Sequence, residues 1–155
     1  IGTEAAALTF DGKVGIAIEV LQPTARMTLN AIDWSFSRVG LSDPTGKARF
    51  AVPKVSLNAD AETATFTFAQ PIPKGHFQLA LDYTGKIGTQ PIGLFALDYD
   101  SAKGHKRALY TQFENSDARR LIPSWDEPAY KATFSLESAG IAGIDVPLIP
   151  AGPKP

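Results

Sequence analysis

Seven side chains able to do chemistry crowd into one run of this 155-residue chain, YTQFENSDARRLIPSWDEPAYKATF from Tyr110 to Phe134: Gln112, Glu114, Asp117, Arg119, Arg120, Asp126 and Glu127. Carboxylates and guanidiniums at this spacing can do two kinds of work. Arg119 and Arg120, with Asp126 and Glu127 across a turn, suit charge-assisted pairing that fixes a loop, and we read them as structural. Gln112 and Glu114 are different. On a strand from Leu109 to Glu114, residues Tyr110, Gln112 and Glu114 share one face, while Leu109 and Phe113 share the other and pack inward. Taken alone, a glutamine and a glutamate on the wet face of a strand are ordinary surface residues. Trp125 and Tyr130 suit core or edge packing better than a ligand platform.

Other chemistries lack their parts. A catalytic zinc needs about three protein ligands. The chain has two histidines and no cysteine, and neither His76 nor His105 belongs to an H-E-x-x-H motif. Both stand in Gly/Lys-rich stretches, Lys74-Gly75-His76 and Lys103-Gly104-His105-Lys106, expected to be surface turns. There is no G-x-S-x-G element and no phosphate-binding loop. The sequence therefore predicts no cofactor in this chain, no metal site and no catalysis by the chain alone.

The elements that must hold Gln112 and Glu114 read as strands. Val14, Ile16, Ile18 and Val20 alternate with Gly15, Ala17 and Glu19. Ala64, Phe66 and Phe68 alternate with threonines, and Phe77, Leu79, Leu81 and Tyr83 with Gln78, Ala80 and Asp82. Ala132, Phe134 and Leu136 alternate with Thr133, Ser135 and Glu137, which predicts a last strand with Phe134 and Leu136 buried. Period-two alternation marks antiparallel sheets with one wet and one buried face. Asp11-Gly12, Gln22-Pro23, Asp43-Pro44-Thr45-Gly46, Pro71 to Gly75 and Thr84-Gly85 read as turns between them. No long window carries a 3.6-residue stripe. One helical turn is predicted over Ala118 to Ile122, capped by Asn115, Ser116 or Asp117 and stopped by Pro123. Ser124 to Glu127 fits a capping box, but Pro128 follows at once and predicts a tight turn. The fold class is all-β: a single antiparallel sandwich or saddle-shaped sheet, with the domain over 1–137 and a Pro/Gly-rich tail or linker over 138–155.

Apolar residues make up 44% and charged residues 20% of the chain, with a net charge of −1. These are ordinary values for a globular domain with a real core. No Lys/Arg block offers a nucleic-acid surface, and no apolar run approaches the ~20 residues needed to span a bilayer. Ile1-Gly2-Thr3-Glu4 lacks the basic start and apolar core of a signal peptide. The compartment stays open.

Thr111-Gln112-Phe113-Glu114, Asp117-Ala118-Arg119-Arg120, Pro123, Asp126-Glu127-Pro128 and Lys131-Ala132-Thr133-Phe134 together resemble, in order and spacing, the signature of the N-terminal domain of the aminopeptidase N family of zinc metallopeptidases. Phe10 to Val20, Phe77 to Gly85 and Gly93-Leu94-Phe95 are similar to further strands of that domain. Two departures stand out: the family's first strand is absent or partial, and its closing strands are not recognisable in the tail. Ser124 stands where many members carry a small residue such as cysteine. The resemblance implies that Gln112 and Glu114 line a substrate cleft, with Glu114 holding the free α-ammonium of a peptide and Gln112 near the first side chain. It also implies that zinc and the catalytic machinery belong to a catalytic domain of the same polypeptide. The alternative is a non-catalytic binding or scaffold β-sandwich, in which Glu114 would have no ammonium to meet.

Overall fold

The alternating segments become strands because each can bury one face and wet the other. The structure, a computed structural model, describes residues 2–4 and 8–137. In chain order the strands are β1 (Gly2–Glu4), β2 (Thr9–Val20), β3 (Thr24–Asn30), β4 (Ser35–Ser42), β5 (Lys54–Asn58), β6 (Thr63–Ile72), β7 (Gly75–Lys86), β8 (Gly93–Ser101) and β9 (Gly104–Gln112). A single 3₁₀ turn, Ala118–Arg120, follows. The tail 138–155 lies outside the described residues.

Three antiparallel sheets result: β1-β2-β7-β4, β3-β6-β5 and the hairpin β8-β9. Register follows the hydrophobic pattern, with Val14 opposite Leu81, Ile16 opposite Leu79 and Ile18 opposite Phe77. A one-residue slip would turn every one of these outward. The first two sheets enclose a common core in which Leu29, Phe66, Ile72, Leu79 and Leu81 are almost fully buried. Phe36 of β4 meets Phe66 of β6 edge-on at 5.5 Å, joining the two layers. The all-β, mainly antiparallel expectation holds.

At one end of the core sits an aromatic triad. Trp34 lies edge-on to Tyr83 at 4.4 Å and to Phe10 at 5.9 Å, geometry that aromatic quadrupoles favour. This triad corrects two of the predicted turns. Asp11-Gly12 lies inside β2 and Thr84-Gly85 inside β7, and the two segments face each other in the ladder. A Cβ on Gly12 would come within 2.2 Å of the Tyr83 ring, and one on Gly85 within 2.7 Å of the Phe10 ring. These glycines mark rings lying over the backbone, a signal that is identical to a turn in the sequence.

Two further expectations are corrected. Residues 132–136 form no strand: Phe134 is 74% exposed and Leu136 58%. Alternation supplies the faces of a strand, but only a neighbouring ladder satisfies its backbone, and among the described residues none pairs with this segment. The helical turn is also shorter than 118–122, and Asp117, its cap, makes no side-chain cap bond. Its carboxylate instead accepts a hydrogen bond from Arg120 Nε at 2.9 Å. Beyond it, no helix forms at Ser124 to Glu127; a turn closes with the Tyr130 amide donating to the Glu127 carbonyl at 3.0 Å.

Candidate functional site

Arg119 organises the region. It is the one buried charged residue among those described, at 7% exposure. Its Nε donates to Asp126 Oδ2 at 3.1 Å, its Nη2 to the Asp126 carbonyl at 3.0 Å and its Nη1 to Glu62 Oε2 at 3.0 Å. The Arg119 amide also donates to Asp126 Oδ2 at 3.1 Å. A guanidinium can leave water only when its donors are met this fully. The Arg119 carbonyl accepts from Trp34 Nε1 at 2.8 Å and from the Ile32 amide at 3.2 Å. Tyr83 Oη donates to the Leu121 carbonyl at 3.2 Å. Two members of the aromatic triad therefore hold the D-A-R-R turn onto the sandwich.

The second half of the segment is tied down separately. The Asn30 amide donates to the Ser124 carbonyl at 2.8 Å, and the Asp126 amide donates to Asn30 Oδ1 at 3.1 Å. Trp125 packs on the core, with Tyr130 tilted over it at 6.4 Å. The structural reading of the charged cluster is borne out for Arg119 with Asp126. Arg120 turns to Asp117, Glu127 stays exposed, and Glu62 joins from 57 positions upstream. No local pattern pointed to Glu62, Asn30 or Trp34, because the contacts exist only once the sheets have formed.

Against this fixed frame, Gln112 and Glu114 both project into solvent. Gln112 ends β9, opposite Gly93 of β8. Its Oε1 accepts the Glu114 amide at 3.2 Å. Phe113 between them is partly buried against the core, and its carbonyl accepts the Asp117 amide at 2.9 Å. Glu114 thus sits between two anchors, a strand end and a hydrogen-bonded turn; the peptide joining it to Asn115 is cis. Asp117 and Asp126 are consumed in ion pairs, whereas Glu114 has no ion-pair partner among the described residues. An exposed carboxylate without an ion-pair partner can accept hydrogen bonds from a cation brought to it.

The remaining predicted positions fall elsewhere. His76 and His105 are exposed as expected, but they lie near the starts of β7 and β9 rather than in turns. His105 Nδ1 lies 3.0 Å from Asp100 Oδ1. An open cleft bordered by Asp33, Trp34, Glu62, Thr84 and Lys86 includes neither Gln112 nor Glu114. Among the described residues no helix is long and apolar enough to cross a membrane.

Residues 2–139 match the model of the Peptidase M1 N-terminal domain. The chain belongs to this family. It is 38% identical over 139 residues to an aminopeptidase N of Acetobacter pasteurianus, a match covering 88% of this chain and 37% of that protein. It is 36% identical over 132 residues to aminopeptidase M1 of Arabidopsis thaliana, covering 84% of this chain and 15% of that protein. An aminopeptidase N of Haemonchus contortus is 30% identical over 131 residues, covering 83% of this chain and 14% of that protein. The chain therefore spans well under half the length of these relatives. As a Peptidase M1 N-terminal domain it carries, as one joined unit, the Thr111–Glu114 segment, the Arg119 hub and the Asp126-Glu127-Pro128 turn; the strand expected to run to Glu114 ends at Gln112, which leaves Glu114 in the turn that follows.

Proposed function

We propose that this domain serves a zinc-dependent aminopeptidase by lending Gln112 and Glu114 to the substrate cleft, the reacting centre being supplied by the rest of the polypeptide. One observation carries the reading: within a match to the Peptidase M1 N-terminal domain, Glu114 is exposed, its backbone tied on both sides, and it has no ion-pair partner among the described residues, while neighbouring Asp117 and Asp126 are committed to arginines.

The metal has no seat in the described residues, where no three of His, Cys, Asp and Glu come together. Zinc belongs, in this reading, to the catalytic domain beyond this chain, and Gln112 and Glu114 act by binding. A carboxylate meeting the α-ammonium of a peptide in a cleft shielded from water forms a strong charge-assisted bond. It rewards a free N-terminus and so favours removal of terminal residues over internal cleavage. Gln112, with its oxygen held by the Glu114 amide, keeps its amide group for the first substrate residue. The test is made in the full-length parent. Glu114→Ala should lower kcat/KM for aminoacyl substrates at least ~10-fold, about 1.5–3 kcal/mol, the range for hydrogen bonds to charged groups. Glu114→Gln, which keeps shape and loses charge, should fall between. The downstream sequence should also contain H-E-x-x-H; a parent without it would leave the scaffold reading.

A further inference from the structure

The turn that carries Glu114 is closed twice. The Asp117 amide donates to the Phe113 carbonyl at 2.9 Å, spanning Glu114 to Ser116. One backbone hydrogen bond is a weak hold on an exposed turn. The second closure runs through Arg120. Its Nε donates to Asp117 Oδ1 at 2.9 Å and its amide to the Asp117 carbonyl at 3.1 Å. Arg120 therefore grips the residue that closes the turn. Its aliphatic stem lies against Gly93 of β8, and Gly93 stands opposite Gln112 at the end of the β8–β9 ladder. Gln112 Oε1 in turn accepts the Glu114 amide. The contacts make a ring: from Gln112 to Glu114, along the turn to Asp117, through Arg120 to Gly93, and back to Gln112.

Gly93 is what lets Arg120 come this close. Its φ is +64°, in the left-handed region that glycine enters freely. A Cβ at this position would come within 2.6 Å of Arg120 Cβ and 2.8 Å of its Cδ. A fully exposed ion pair three residues apart would contribute little. Here the Arg120 and Asp117 side chains are 34% and 22% exposed, and the arginine stem covers backbone while its head meets the carboxylate. The two neighbouring arginines thus divide the work. Arg119 fastens the 3₁₀ turn to Asp126 and Glu62. Arg120 fastens the Glu114 turn to the end of the hairpin.

We propose that Arg120 is a positioning residue for amine recognition: acting through Asp117 and Gly93, it sets where the Glu114 carboxylate stands when the α-ammonium of a peptide arrives, a role that rests on the function proposed above. Arg120 touches no substrate in this role. Hydrogen bonds weaken steeply as their angle and distance depart from the optimum, and displacement of a binding group by a fraction of its bond length is enough to lose rate. Cutting the ring should therefore cost recognition of the amine and leave the sandwich standing, since the core and the Arg119 contacts do not pass through Arg120.

The experiment uses the full-length parent carrying Arg120→Ala, which removes the stem and the Nε donor. On substrates with a free N-terminus kcat/KM should fall at least ~5-fold, and on N-acetylated substrates it should stay as in wild type. Amide exchange at Glu114 to Asp117 should accelerate at least ~5-fold. Arg120→Lys keeps a stem over Gly93 and a cation for Asp117, so it should recover most of the free-substrate rate. The double variant Arg120→Ala with Glu114→Ala should be no worse than Glu114→Ala alone, because Arg120 acts only through Glu114. Losses that multiply in the double variant, or that fall equally on free and acetylated substrates, would overturn the proposal and give Arg120 a general structural role. If Glu114→Ala loses activity while Arg120→Ala keeps the wild-type rate, the positioning role falls alone. If Glu114→Ala is silent, the ammonium-binding role falls; accelerated exchange in Arg120→Ala would then uphold the ring as the hold on this turn, and unchanged exchange would remove the ring as well.

Discussion

Arg119 is the side chain on which the candidate site depends most. Removing it strands Asp126, whose side chain is 18% exposed, and unfastens Glu62. Arg119→Met should cost about 3 kcal/mol of stability in urea unfolding, because breaking a largely buried pair leaves an uncompensated charge. Arg119→Lys should recover less than half, since an ammonium cannot reproduce the guanidinium fork. Tyr83 gives a second test. Burial pushes its phenol up from 10.0 to about 12. The fold therefore favours the protonated form. That contribution is complete below pH 10 and is lost as pH rises through about 12, on the order of 2–3 kcal/mol. Tyr83→Phe should flatten this alkaline loss while costing about 1 kcal/mol at neutral pH for the bond to Leu121. At this scale the sequence was only partly legible. The pairing of Arg119 with Asp126 could be read from a seven-residue spacing. Glu62 and Trp34 could not, because nothing local ties residues 57 and 85 positions away to the arginine.

At the scale of elements, alternation found β2, β6 and β7 because each has one face in the core. The same rule failed for Ala132 to Leu136, where the pattern is present and the ladder is not. Phe134→Ala should consequently change stability by less than about 0.5 kcal/mol in denaturant titration. Phe66→Ala, at a fully buried site, should cost about 3–5 kcal/mol. Gly12 and Gly85 misled for a related reason: a glycine says that space is needed, not whether for a turn or for a ring. The hairpin has its own signature in acid. The hydrogen bond from Arg107 holds the Asp98 carboxyl below its ordinary 3.8. The pair therefore supports the hairpin fully above pH 3.8, and that support is lost as pH falls through the lower folded value. Exchange of the amides in 98–107 should accelerate over that window in wild type, and Asp98→Asn should remove the pH dependence.

For the whole molecule, the fold class and the family were legible because the Tyr110 to Phe134 signature and the period-two strands agree. The two-sheet packing was not, since sheet order depends on pairings such as β2 with β7 that lie far apart in sequence. The molecule that emerges is a sandwich whose aromatic end fastens a charged turn, with the Glu114 carboxylate exposed beside it and without an ion-pair partner among the described residues. The function turns on what the Glu114 carboxylate binds. The most direct measurement compares wild type and Glu114→Ala in the full-length parent on paired substrates with a free and an N-acetylated terminus. A carboxylate that binds the α-ammonium predicts a loss of at least ~10-fold in kcat/KM on the free substrate. It predicts almost no further loss on the acetylated substrate, which has no ammonium to offer and should already be poor. Equal losses on both would contradict the role, and Glu114 would then shape the surface without recognising the amine.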